Sequence, residues 1–247
     1  MDDEIRASWD AKAADWDAWV GTEGDRNRRV SSDPALRRLL GPVEGLDVLD
    51  AGCGTGYLSV KLAQAGGRLT GVDHSPEMIR HARRNADAQG VSACFRVDSC
   101  AQLGTLPSDG FDRVVSNYVL MDLPDIEGAM RAMARVLRPD GFAVVVFLHP
   151  CFCPPGGAER LGGGAVRYTW PWPYLDRRRF DEEWGPFSSP FIGFHRPLSV
   201  YFSAIGAAGL TVRALQEPAA EAPAGLTAEQ VERIRMTPLS VVLKITH

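Results

Sequence analysis

Apolar residues change their spacing several times along the chain, and each change marks a class of element. In residues 5–20 the indoles of Trp9, Trp16 and Trp19 recur at separations of seven and three among charged neighbours, which predicts one face of an amphipathic helix lying ahead of any sheet. Asp33-Pro34 supplies an N-cap and a proline at the first helical position, and Gly41 supplies a stop, so a short helix is expected over 33–40. From Leu46 short apolar runs alternate with helical segments. Strands are expected over 47–50, 68–73, 93–97, 113–117 and 142–148, with helices over 56–65, 75–88 and 125–137; Ser75 caps the second of these and Pro76 follows it. Such alternation builds a parallel sheet with crossover helices.

After Leu148 the alternation stops. Residues 150–196 are rich in Pro, Gly and aromatic side chains and keep no clean period, so the segment reads as a structureless insertion, and a connection this long inside a compact domain is usually functional, often as a lid. Regular patterning then returns, with a helix expected over 198–208, a strand over 210–215, a helix over 227–235 and a final strand over 240–245. The expected organisation is one domain in four parts: a helical cap (1–44), a cofactor-binding core (45–149), the insertion (150–196) and a C-terminal helix with strands (197–247).

Composition narrows the class. At 247 residues and 45% hydrophobic, the chain is long enough for one sizeable core. A net charge of -4 and a pI near 5.8 lack the basic footprint of a nucleic-acid binder, so a small-molecule substrate is expected. No apolar run approaches the roughly 20 residues that span a bilayer, and Met1-Asp2-Asp3-Glu4 lacks the cationic and apolar regions of a signal peptide. A cytoplasmic protein without membrane partners is expected, its five cysteines reduced. Nothing in the chain speaks to oligomeric state.

The first strand-to-helix turn holds the strongest chemical signal. In an open α/β sheet that turn is the usual ligand cradle, and here it reads Asp50-Ala51-Gly52-Cys53-Gly54-Thr55-Gly56. Glycines admit positive φ and let a ligand approach the backbone. The spacing is G-x-G-x-G, with the third glycine one position earlier than in the dinucleotide pattern. A carboxylate at Asp50 would repel a pyrophosphate but suits a cationic amino group. Asp73 ends the next strand, 17 positions after Gly56, where an acceptor suits both hydroxyls of an unphosphorylated ribose, and Asp98 ends the third, where it suits an exocyclic adenine amine. Together they describe an adenosine carrying an amino acid.

The chain resembles the class I S-adenosylmethionine-dependent methyltransferases through that loop, through Gly71-Val72-Asp73-His74-Ser75-Pro76-Glu77-Met78 and through Leu137-Arg138-Pro139-Asp140-Gly141. The resemblance covers residues 46–148. The N-terminal helix and Phe194-His195-Arg196-Pro197-Leu198 resemble the small-molecule branch that includes quinone-type and amino-sugar methyltransferases. It implies a Rossmann-like, mostly parallel seven-stranded sheet with helices on both faces and an antiparallel last strand. It also implies S-adenosylmethionine as cofactor, with Asp50, Gly52, Gly54 and Gly56 around the methionine portion and Asp73 at the ribose with His74 in the same turn. Met78 would lie beside the adenine, Asp98 and the Ser99 amide at its edge, and Asn117 with Tyr118 near the sulfonium.

Methyl transfer is an in-line displacement, so alignment and exclusion of water dominate, and a proton acceptor helps when the nucleophile must ionise. His149, closing the fifth strand at the ligand edge, is the leading candidate for that acceptor, followed by His195 and Tyr118. Trp16 and Trp19 before the sheet and Trp170 and Trp172 in the insertion suggest two flaps with the substrate between them, joined by Tyr118 and Tyr201. His149-Pro150-Cys151-Phe152-Cys153 offers three soft ligands, but prolines follow at once and a fourth is missing, so no metal is expected. Asp122 and Asp125 are read as the start of the next helix, and the Asn/Asp-Pro-Pro-Tyr/Phe pattern of nucleobase and glutamine amide methyltransferases is absent. The function expected is methylation of a small organic molecule, such as a secondary metabolite, on oxygen first and nitrogen next. The alternatives are sulfonium-dependent chemistry without methyl transfer, a cofactor-binding regulator and a nicotinamide enzyme.

Overall fold

A computed structural model describes residues 1–161, 165–187, 189–219, 227, 231–232 and 237–247. Helix α1 (Asp2–Val20) runs one turn further towards the N-terminus than the indole pattern marked, and carries three acids in its first turn, where the helix dipole favours them. A π-turn (Arg28–Ser32) leads without a break into α2 (Asp33–Leu40). The expected N-cap role of Asp33 therefore fails: the backbone ahead of it is already helical, and its carboxyl instead accepts the Tyr57 hydroxyl at 3.1 Å.

The core then unfolds as expected: β1 (Asp47–Ala51), α3 (Tyr57–Gln64), β2 (Arg68–Asp73), α4 (Pro76–Ala88), β3 (Ala93–Val97), β4 (Phe111–Asn117) and α5 (Ile126–Val136). Ser75 caps α4 through the Met78 amide at 3.0 Å. Strand β5 (Leu137–Leu148) begins five residues earlier than its apolar run, because Pro139 disfavours helix in the residue before it and Leu137 pairs directly with Phe111.

The insertion is not structureless. It forms two antiparallel hairpins, β6 (Ala158–Arg160) with β7 (Val166–Tyr168) and β8 (Arg178–Glu182) with β9 (Phe191–His195). Strands of three to five residues show little period of their own, and β8–β9 is held by cross-strand packing: the Phe180 ring lies over Gly193, where any Cβ would come within 2.5 Å of it. Helix α6 (Leu198–Ala207), β10 (Thr211–Gln216) and β11 (Ser240–Thr246) complete the fold. The helix expected over 227–235 lies largely outside the described residues.

The seven-stranded sheet has the order β10-β11-β5-β4-β1-β2-β3, parallel except for the pairings of β11. Its period of two sorts the central strands between faces. Val144, Val146 and Val242 pack towards α2 and α3, whereas Ala143, Val145, Phe147 and Val241 pack towards α5 and α6. Strand order reverses between β1 and β4, so the carboxyl ends of β1, β2 and β4 open a crevice, the position where ligands bind in such sheets.

Candidate functional site

Two cavities meet at that crevice. The smaller, about 170 Å³, is walled by Asp50, Gly52, Gly54, Asp73, His74, Met78, Ser99 and Asn117, all expected there, and by Ala101 and Gln102, which were not. Gly52 and Cys53 amides both donate to the Val72 carbonyl, pinning the turn to β2. Gly52 has φ +84, and a Cβ there would stand 2.3 Å from a Val119 methyl, so the loop and the segment after β4 fit only without a side chain.

Asp73 accepts the Gly54 amide on one oxygen and the Ser75 amide on the other, each at 2.9 Å, so its carboxyl is fixed at the end of β2. Asp50 is 1% exposed and accepts the Ser59 hydroxyl at 2.6 Å; burial, with the nearby Asp73 charge, raises its pKa to about 7. Asn117 donates its amide to the Tyr57 hydroxyl at 2.6 Å, which leaves its Oδ1 buried and unpartnered at the cavity wall.

Two expected cofactor residues stand elsewhere. Asp98 is turned onto its own loop, accepting the Ser99, Gly104 and Thr105 amides and the Thr105 hydroxyl; it shapes the turn that presents Ser99 without itself lining the cavity. Gly56 caps α3 in the left-handed region and packs on Ala82.

The larger cavity, about 580 Å³, is walled chiefly by rings: Trp9, Trp16 and Trp19 of α1, and Phe180, Trp184 and Phe191 of the β8–β9 hairpin. Helix α1 is held over the crevice because Asp10 accepts the Ser75 hydroxyl and Asp17 accepts Asn85 and Arg84 of α4. Its indoles then meet the hairpin edge-on, Trp9 on Phe191 at 5.4 Å and both Trp16 and Trp19 on Trp184 at 6.1 Å. Trp16, Trp19 and Tyr201 thus line this cavity, as does His195. Trp170 and Trp172 do not: they pack behind the wall on the His195 ring at 5.1 and 6.4 Å, filling the base of the insertion.

The expected proton acceptors are also redistributed. His149 is 3% exposed and outside both walls, with Nε2 2.7 Å from Glu217 and its ring on Phe152. His195 donates Nε2–H to the Tyr174 carbonyl at 2.8 Å. Tyr118 lines both cavities in the left-handed region, φ +58, unusual for a bulky residue and therefore a strained site. Its hydroxyl accepts Asn27 and bonds Ser240, each at 2.6 Å, so its oxygen is already engaged. Cys151 lies 3.4 Å from the Tyr174 hydroxyl and Cys153 3.5 Å from the Leu239 carbonyl, so these thiols and His149 face three different partners.

Four side chains of the site escaped the sequence reading. Arg28 lies in both walls, beside Asp25, over the rings of Trp16, Tyr57 and Tyr118, with its Nε buried and unpartnered. Asp122 lies in both walls, not in a helix start but in a 3₁₀ turn (Leu120–Asp122), and burial lifts its pKa to about 8. Arg196 holds that turn by donating to the carbonyls of Leu120, Leu123 and Pro124. Glu182, on β8, faces the larger cavity. A carboxylate five residues past β4, at the sheet's ligand edge, was the one available signal for Asp122. Among the described residues no helix is long and apolar enough to cross a membrane.

Residues 48–141 match the family described as "Methyltransferase domain". The chain is 35% identical over 151 residues to a ubiquinone biosynthesis O-methyltransferase of Methylocella silvestris, covering 60% of this chain and 59% of that one. A protein of the same name from Xanthomonas axonopodis is 37% identical over 97 residues, 39% of this chain and 41% of its own. The chain thus spans about half the length of these curated relatives. Among solved structures it is similar to an S-adenosylmethionine-dependent methyltransferase from Mesorhizobium loti, with a TM-score of 0.73 and 25% identity over 87% of this chain and 96% of that one.

Proposed function

We propose that this chain, whose core places it among the class I S-adenosylmethionine-dependent methyltransferases, methylates a small organic molecule held in the ring-walled cavity, on oxygen or nitrogen. One observation carries the reading. Trp9, Trp16, Arg28, Tyr118 and Asp122 belong to the walls of both cavities, so a donor in the smaller and an acceptor in the larger would face each other across one boundary.

The residues suit the donor. Asn117 Oδ1 is a buried acceptor awaiting a partner, the Gly52 cradle has no room even for a Cβ, and two desolvated carboxyls stand at the ends of β1 and β2. Asp50, Gly52 and Gly54 would hold the methionyl end, with Arg28, whose Nε has no partner, supplying the cation for its carboxylate. Asp73 with His74 would hold the ribose, and Met78 with the Ser99 amide the adenine. S-adenosylmethionine, when bound, supplies a methyl group on a positively charged sulfur. Trp9 and Trp16 exclude water from the boundary, and Asp122 takes the proton that an acceptor hydroxyl or amine must lose. In this reading Asp122 replaces His149 as the base, because His149 faces Glu217 behind the wall. The cap (1–44) and the insertion (150–196) act with the core as one unit, forming the roof of the site.

Calorimetric titration with S-adenosylmethionine and S-adenosylhomocysteine tests the donor site, and a panel of phenols and amines with methyl-labelled cofactor tests transfer. Binding of both nucleosides, weakened at least about tenfold in Asp73→Ala, and label in a panel member are expected. Absence of nucleoside binding would overturn the reading, and substrate turnover without label transfer would replace it with non-methylating chemistry.

A further inference from the structure

Resting on that assignment of the larger cavity to the acceptor, we infer that the acceptor is an apolar molecule bearing a basic amine, whose ammonium is held by Glu182 and the indole walls.

Side chains alternate across the β8–β9 hairpin, and Phe180 and Glu182 of β8 face the cavity with Phe191, Gly193 and His195 of β9, whereas Arg179 and Asp181 pair with each other on the outer side. Glu182 therefore occupies an inner position next to Phe191, where the pattern favours an apolar residue. A carboxylate turned onto an aromatic surface loses hydration and needs a partner. Among the described residues no hydrogen bond or ion pair reaches the carboxyl of Glu182, nor that of Asp122.

The cations lining the cavity are already engaged. Arg28 is bound to Asp25 and keeps only its Nε, which the proposed function gives to the donor's carboxylate; Arg196 is bound to backbone carbonyls, and Arg26 has a partner of its own. His195 donates to Tyr174. What remains is two unpaired carboxyls among indole and phenyl faces, and ring faces attract cations. The cluster already accommodates one: the Lys12 ammonium lies 5.1 Å from the centre of the Phe191 ring. An incoming ammonium would give Glu182 its missing partner, while the apolar body of the ligand covers Trp19, Trp184 and Phe180. A carboxylate ligand would instead meet the Glu182 carboxylate and find the cations of the wall already engaged.

The probe is benzyltrimethylammonium, which carries a fixed charge and is not itself methylated, compared with benzyl alcohol and phenylacetate. Binding is followed by tryptophan fluorescence and calorimetry, with and without S-adenosylhomocysteine. The cation should bind at least about tenfold tighter than either comparison ligand, and Glu182→Gln should reduce that preference at least about fivefold while leaving S-adenosylhomocysteine affinity unchanged. A wild-type protein that binds phenylacetate or benzyl alcohol as well as the cation overturns the inference, whatever the variant does. So does a folded Glu182→Gln that keeps the full preference. Failure to bind S-adenosylhomocysteine would instead overturn the methyl-transfer reading, and the cation result would stand by itself.

Discussion

Substituting Gly52 by alanine tests whether the cradle is set by backbone conformation, by contact with Val119, or by both. Gly52 lies at φ +84, and an added Cβ would meet the two Val119 methyls at 2.3 and 2.7 Å. The left-handed conformation alone costs a residue with a Cβ about 1–2 kcal/mol, and overpacking against a β-branched neighbour adds about 1–3 kcal/mol. Gly209→Ala isolates the first contribution, because Gly209 has φ +77 and nothing within 4 Å of its would-be Cβ. Val119→Ala removes the obstruction and costs about 1–2 kcal/mol for its half-buried methyls. In urea unfolding, Gly52→Ala should lose about 2–5 kcal/mol, clearly more than Gly209→Ala, and the double variant with Val119→Ala should fall short of the sum by about 1–3 kcal/mol. Additive losses, or a Gly52→Ala no worse than Gly209→Ala, would refute the claim that loop and post-β4 segment are fitted to each other.

Three further outcomes follow from the site. With its carboxyl held up to about 8 by burial, Asp122 is protonated at neutral pH in the ligand-free protein; if it is the base, kcat/KM rises with pH through about 8, and Asp122→Asn lowers kcat about 10²-fold or more and removes that limb. The same shift means the folded state keeps a proton the unfolded chain releases near pH 4, so stability falls as pH rises from about 4 to about 8; unfolding midpoints across that window should change less in Asp122→Asn. His149→Ala should keep turnover within about threefold while losing stability, since it breaks a contact with Glu217 behind the cavity wall. A His149 variant that folds normally but loses turnover a hundredfold, roughly the effect of removing a general base, would restore it as the acceptor.

The core was legible because its signals are local. Glycine spacing, the carboxylates that end β1 and β2, the Ser75 cap and the alternation of strand and helix act over a few residues, and the structure places each of them as the pattern required. Even within the core, Asp98 shows the limit: a carboxylate at the right strand end has two choices, ligand or its own loop amides, and only the folded turn decides between them.

What the sequence by itself determined is therefore the sheet, its ligand edge and the glycine turn with its carboxyls. The ring-walled cavity was decided by tertiary structure alone. Trp16 and Trp172 look alike in the sequence, yet one lines the cavity and the other backs onto His195, because α1 is docked through Asp10 and Asp17 while the insertion folds into hairpins. Asp122 and Glu182 carry no motif. Their environment is made by contacts between elements: Arg196 fixes the turn of the first from far along the chain, and the register of β8 on β9 turns the second towards the cavity that the α1 indoles also line. Burial and charge pairing are properties of the assembled surface, so they exist only once the chain has closed on itself.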